Sequence, residues 1–226
     1  MGVNTPTRLD RVDNVPWRWL PPVLGFWGLW ALTLLMWHRL LQLTCRIQWE
    51  GTEHLQRARD GVSAQSYIYC GWHDTLTPYT VSLQRVPRPY VLLSNHAWFM
   101  WPIHFLSYRM GVDILIPVLD GQDARAASHD LVELLKQGYS TMMTPDGPSG
   151  PPRVLKRGVL LIAAKSGTPI LPLRIETQAA WTWEWSWDRK RIPLPFSRIK
   201  VRYMEPIVVT RAKLKEAEAA LLARLG

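Results

Sequence analysis

From Ile47 onward, short apolar runs alternate with helix-like segments, and this alternation narrows the fold more than any other feature. The runs "SYIYCGW", "PYVLLSN", "VDILIPVL", "STMMTP" and "TPILPLRIE" carry the residues that suit a buried sheet. Between them the pattern predicts helices around Pro78–Gln84, Phe99–Arg109, Ala124–Lys136 and Lys156–Ser166. In the third, Leu131, Leu134 and Leu135 share a face, and Gly138 follows as a C-cap. "RIKVRYMEPIVV" predicts a strand with Ile199, Val201 and Tyr203 on one face, and "RAKLKEAEAALLARLG" an amphipathic final helix. This is the pattern of an α/β fold, a single domain with a largely parallel or mixed central sheet flanked by helices. A length of 226 residues suits one such domain.

Ahead of it, residues 1–15 are polar and read as a flexible N-terminus. Residues 16–45 contain "WLPPVLGFWGLWALTLLMW", an uncharged run from Trp19 to Trp37. Roughly 20 apolar residues span a bilayer as a helix. The segment therefore reads as a membrane-anchoring helix, either a short span or a helix lying in the interface; the alternative is a buried core helix. Pro21 and Pro22 make the first turn of this run an unlikely helix interior. Basic residues flank the run on both sides, so the positive-inside rule assigns no orientation. The α/β domain then occupies residues 46–226.

The chain has 13 tryptophans, a residue that favours the boundary of lipid and water, and a formal net charge of +9. Together these predict an anionic partner, and an anionic membrane lipid fits best. Nucleic acid could use the same charge, but no recognition motif accompanies it. Cys45 and Cys70 make neither a disulfide framework nor a metal cluster and read as small buried residues. The histidines and carboxylates lack ligand spacing, so neither a metal nor another cofactor is expected.

Two stretches carry candidate chemistry. In "YCGWHDTLTPYT", His73 follows a predicted strand, with Thr77 and Pro78 as a helix start. A neutral imidazole at a sheet's carboxyl edge could accept a proton from a hydroxyl or amine. In "TPDGPSGPPRVLKRG", prolines and glycines fix tight turns directly after a strand. They hold Asp146 on a rigid loop, with Arg153, Lys156 and Arg157 close behind. Gly147, Pro148, Ser149 and Gly150, with Arg153 and Lys156, form a candidate phosphate or oxyanion site. The blander reading is a structural loop in which Asp146 makes an Asx turn.

The "WH" at a strand end, "TPDGPxGP" about seventy residues later, "GVLLIAAKSGTPILPL" and "SWDRKRIPLPFSRIKVRYMEPI" together resemble the lysophospholipid acyltransferase superfamily. The resemblance is to its bacterial branch long labelled a domain of unknown function, and it runs from about Ile47 to Val209. It implies acyl transfer from acyl-CoA or acyl-carrier protein, an acyl thioester donor, to a lysolipid or aminolipid acceptor. It also implies a membrane-associated enzyme, at the cytoplasmic face of the bacterial inner membrane. His73 takes the place of the family's catalytic histidine, and Asp146 that of the acidic residue in its second block. The family's HxxxxD pattern would put Asp at position 78, where this chain has Pro78. Asp74 and Asp146 are then the candidates to orient His73. Ser149 stands where the branch commonly has arginine, leaving Arg153 or Lys156 to supply the charge. "SNHAWFMWPI" offers a rival histidine, His96, but Trp101 occupies its Asp place and the spacing to "TPDG" is shorter. A catalytically silent, lipid-binding scaffold of the same fold is the alternative function. No oligomeric state is implied.

Trp181, Trp183, Trp185 and Trp187 alternate, so one strand would place all four on one face, against lipid or over the sheet. Trp27, Trp30, Trp183 and Trp185 are the candidate membrane contacts. The basic residues from Arg189 to Arg202 could hold anionic headgroups or form a solvated face.

Overall fold

The computed structural model describes residues 20–56, 66–83, 89–95, 97, 100–118 and 122–226. The polar N-terminus of residues 1–15 and the rival His96 lie outside the described residues.

The predicted alternation resolves into nine strands and seven helices among the described residues. β2 (Ile68–Cys70), β5 (Thr141–Met143) and β6 (Ile170–Thr177) are the centre of the main sheet, which runs β1-β9-β6-β2-β5. β2 pairs in parallel with both neighbours, and β1 (Arg46–Glu50) in parallel with β9 (Arg198–Tyr203). Only β6 and β9 are antiparallel within this sheet, so it is mixed and mostly parallel. β3 (Val91–Asn95) and β4 (Ile114–Val118) form a parallel pair tied to the β5 side by a bridge from Tyr90 to Ser140. β7 (Ala180–Thr182) and β8 (Arg191–Pro193) form a separate antiparallel hairpin.

Helices cover both faces, as expected for strands that are apolar on both sides. On one side α5 (Gln122–Lys136), α6 (Gly158–Ser166) and α7 (Leu214–Leu225) bury Leu131, Leu160 and Leu221 against Ile68, Cys70 and Ile170. On the other, Leu41, Tyr79, Tyr90, Leu171, Leu173, Ile199 and Val201 form a second cluster. It lies beneath α1 (Leu20–Thr44), α3 (Leu76–Ser82) and α4 (Trp101–Arg109). α2 (Glu53–Gln56) is a single turn. Ile199, Val201 and Tyr203 all face the core, as their spacing requires. Both cysteines are buried and free.

Three expectations need correction. First, no helix among the described residues is long and apolar enough to cross a membrane, so the spanning anchor is unsupported. α1 is long, but His38, Arg39 and Gln42 interrupt its apolar run. One face of it, through Ala31, His38 and Leu41, is buried where the helix packs on α3 and α4. Phe26, Leu29, Trp30, Met36, Leu40 and Leu43 remain exposed on the others, so it is not a buried core helix either. Second, α3 does not start at Thr77 and Pro78. A single 3-10 turn, His73–Thr75, runs directly into a helix that begins at Leu76. Third, the four alternating tryptophans do not share a strand. β7 ends at Thr182, and the chain turns back through hydrogen bonds from Trp183 N to Lys190 O, Ser186 N to Trp183 O and Arg189 N to Ser186 O.

Candidate active site

The site forms where β2 and its two neighbours end. Cys70 pairs with Met143 in the β2–β5 register. His73 lies three residues beyond the first and Asp146 three beyond the second, so the parallel ladder delivers both to one edge. β6, on the other side of β2, feeds the β7–β8 hairpin, whose tip brings residues 183–190 to the same place. Ligand sites of open α/β sheets gather at this carboxyl edge.

The imidazole of His73 has a carboxylate partner that sequence reasoning did not assign. Its Nδ1 lies 2.6 Å from Oδ2 of Asp188, a residue of the hairpin tip that is only 2% exposed. Lys190 Nζ donates to the same oxygen at 2.8 Å, and Ser186 Oγ donates to Oδ1. Burial opposes ionisation of Asp188, but the hydrogen bonds from Lys190, Ser186 and His73 outweigh it and hold the carboxyl well below its usual range. An ionised Asp188 can only accept, so His73 Nδ1 carries the hydrogen and the lone pair falls on Nε2. Burial, then the Lys190 charge, lowers the His73 pKa below 6.5, against the opposing pull of Asp188 and Asp146. The ring is therefore mostly neutral at pH 7, the state a general base requires.

Asp74 and Asp146 are adjacent but do other work. Asp146 is fully buried; its Oδ1 accepts from the backbone N–H of His73 at 3.2 Å and its Oδ2 from that of Arg153 at 3.1 Å. It ties the two loops together and fixes the backbone of His73; it makes no hydrogen bond to the ring, but its charge favours the imidazolium. Asp74 Oδ2 accepts from Arg153 Nη2 at 2.8 Å, while its buried Oδ1 has no partner among the described residues. Arg153 is thus ion-paired with Asp74. Lys156, exposed and without an ion pair among the described residues, is the cation over the loop. A Cβ built on Gly147 would lie 3.2 Å from Lys156 Nζ.

The loop itself is shaped by backbone conformations that glycine permits. Gly147 and Gly150 have φ of +70° and +66°. A Cβ on Gly150 would fall 2.5 Å from Trp187 Cε3, so only glycine admits that indole. Trp187 also meets His73, with ring centroids 4.9 Å apart. The indole is wedged between base and loop, a site role for the fourth tryptophan of the ladder that its spacing did not reveal. Gly147 N–H donates to Thr144 O, and Pro148 has no N–H. The N–H groups of Ser149 and Gly150 have no acceptor among the described residues.

Of the expected membrane contacts, Trp30, Trp183 and Trp185 are exposed, Trp185 to 95%, whereas Trp27 is half-buried beside Phe26. Two sequence signals pointed near Asp188: it lies inside the "SWDRKRIPLPFSR" string that carries the resemblance, and it is the only acid between Glu184 and Glu205.

The chain matches no protein-family model. It is 25% identical over 154 residues to an uncharacterized protein of Rickettsia prowazekii, covering 68% of this chain and 69% of that one. It is 31% identical over 91 residues to a 1-acyl-sn-glycerol-3-phosphate acyltransferase of Borreliella burgdorferi, covering 38% of this chain and 36% of that enzyme. A solved structure, the 1-acyl-sn-glycerophosphate acyltransferase of Thermotoga maritima, superposes with a TM-score of 0.49 at 16% identity, over 89% of this chain and 76% of that one.

Proposed function

We propose that this protein is a membrane-associated acyltransferase that moves an acyl group from a thioester, acyl-CoA or acyl-carrier protein, to a lipid hydroxyl or amine. The observation that carries this reading is the His73–Asp188 hydrogen bond, set beside a glycine-turned loop with a lysine that has no ion pair among the described residues. The 91-residue likeness to an acyltransferase of lysophosphatidate type supports the substrate class.

In this reading His73 Nε2 takes the proton from the acceptor O–H or N–H as the oxygen or nitrogen attacks the thioester carbonyl. The imidazolium that forms keeps its Nδ1–H on Asp188, whose ionised carboxylate stabilises the new charge. The N–H groups of Ser149 and Gly150 stabilise the carbonyl oxygen as it becomes an oxyanion. Lys156 holds a phosphate of donor or acceptor. Collapse of the tetrahedral intermediate breaks the carbon–sulfur bond, and the departing thiolate takes the proton back from His73. Asp188 supplies the carboxylate whose absence at position 78 motivated the alternative of a silent lipid-binding scaffold.

The test is an incubation of purified protein with labelled acyl-CoA, or acyl-carrier protein, and a mixed lysolipid and aminolipid pool. Wild type should yield a labelled lipid and His73→Ala should lose the rate about 10²–10⁴-fold, the usual worth of general-base catalysis. No product from wild type with either donor would reject the proposal.

A further inference from the structure

Apart from residues such as Leu161 on α6 and Leu222 on α7, many exposed apolar side chains among the described residues lie along one track. It begins on the outer side of α1 with Met36, Leu40 and Leu43, the last exposed to 85%. At the end of that helix Cys45 Sγ lies 3.5 Å from Leu194 O and 3.7 Å from Ser197 Oγ, which joins α1 to the turn after β8. In that turn Leu194 is exposed and Phe196 is exposed to 78%, with its backbone at a φ of 65°. Leu194 N donates to Ala179 O, and Trp181 pairs with Ile192, so the track continues onto the hairpin. There Trp181 and Trp183 stack at 6.4 Å and lead to Trp185 at the tip.

Charge selects the occupant. Arg39, Arg46, Arg191 and Arg198 lie in or beside these segments, and none has a carboxylate partner among the described residues. Indoles with arginines at an apolar border suit the interface of a bilayer that carries negative headgroups.

We infer that the β7–β8 hairpin and the adjoining end of α1 form a docking surface for an anionic lipid bilayer, and that this surface sets the catalytic centre against the bilayer that holds its acceptor. The second half rests on the acyl-transfer reading. Its geometric basis is that one turn faces two ways: Trp183 and Trp185 point outward, while Trp187 and Asp188, two and three residues beyond Trp185, reach His73.

The experiment is co-sedimentation of the full chain with phosphatidylcholine vesicles, with and without phosphatidylglycerol. Wild type, Trp183→Ala/Trp185→Ala and Leu43→Ser/Phe196→Ser are compared. Wild type should pellet preferentially with the anionic vesicles, and each double variant should lose affinity by about tenfold or more, since both remove buried apolar area from one interface. Acyl transfer by the tryptophan variant should fall with a vesicle-borne acceptor and stay at the wild-type rate with a short-chain lysolipid kept monomeric. Unchanged binding of both variants overturns the inference. So does a concentration-dependent dimer that the tryptophan variant abolishes, which would assign the surface to a second copy. Binding that depends on these residues, with no transfer by any form, upholds the docking surface and rejects the acyl-transfer reading instead.

Discussion

In the acyl-transfer reading, His73 serves as a base because its surroundings remove two protons from contention, its own and that of Asp188. Desolvation and the Lys190 ammonium disfavour imidazolium, so the His73 pKa lies below 6.5. The rate should rise with pH through a midpoint below that value and level off above it, because only the neutral ring can accept the acceptor's proton. Lys190→Met removes one of the two lowering influences, so the base limb should move to higher pH. A pH–rate profile checks this, and an unmoved or downward-shifted limb would contradict the electrostatics. Gly150→Ala makes a different demand. A methyl 2.5 Å from Trp187 Cε3, at a φ of +66°, must push the indole off His73. Activity should fall at least about tenfold, with stability lowered by about 1–3 kcal/mol, the order of cost for an overpacked or left-handed non-glycine residue. Denaturant melts beside the transfer assay separate the two effects.

At the level of elements, what could be read from the sequence was whatever had its own periodicity. β2 to β6, β9 and helices α3 to α7 each carry enough apolar residues at a fixed spacing to announce themselves. β1 did not, because "RIQWE" is half polar and becomes a strand only by pairing with β9. The tryptophan ladder misled because alternation is necessary for a strand but not sufficient. Its strand stops at Thr182, where Trp183 bonds across to Lys190 and the chain turns back, with Arg189 held at a φ of 48°. The helical layers should behave as ordinary core. Leu131, fully buried on α5 against the sheet, should cost about 2–5 kcal/mol when changed to Ala. Thermal or denaturant unfolding measures it; a loss below 1 kcal/mol would mean that α5 does not pack as described.

For the whole molecule, the candidate site is a product of topology. Its parts lie at 72–75, 144–156 and 183–190, and nothing in their spacing along the chain brings them together. What does is the placement of β2 between β5 and β6, with each strand sending its next loop to the same edge. Sequence could nominate His73 and the glycine loop, since both sit at recognisable strand ends. It did not nominate Asp188, which arrives by way of a hairpin off the neighbouring strand and meets the His73 ring. The same hairpin carries the exposed Trp181, Trp183 and Trp185, so the partner of His73 and the proposed lipid-facing tryptophans belong to one element.

The central claim is that Asp188, and not Asp74 or Asp146, orients the His73 ring for acyl transfer. The most direct measurement is kcat for transfer of a labelled acyl group by wild type, Asp188→Asn and Asp74→Asn, each titrated with acceptor. Asp188→Asn should lower kcat by about 10²-fold or more with little change in KM, since the lost contact acts on the proton transfer. Asp74→Asn, which frees Arg153 rather than the ring, should change kcat far less. Wild-type kcat in Asp188→Asn, or the larger loss in Asp74→Asn, would contradict the account.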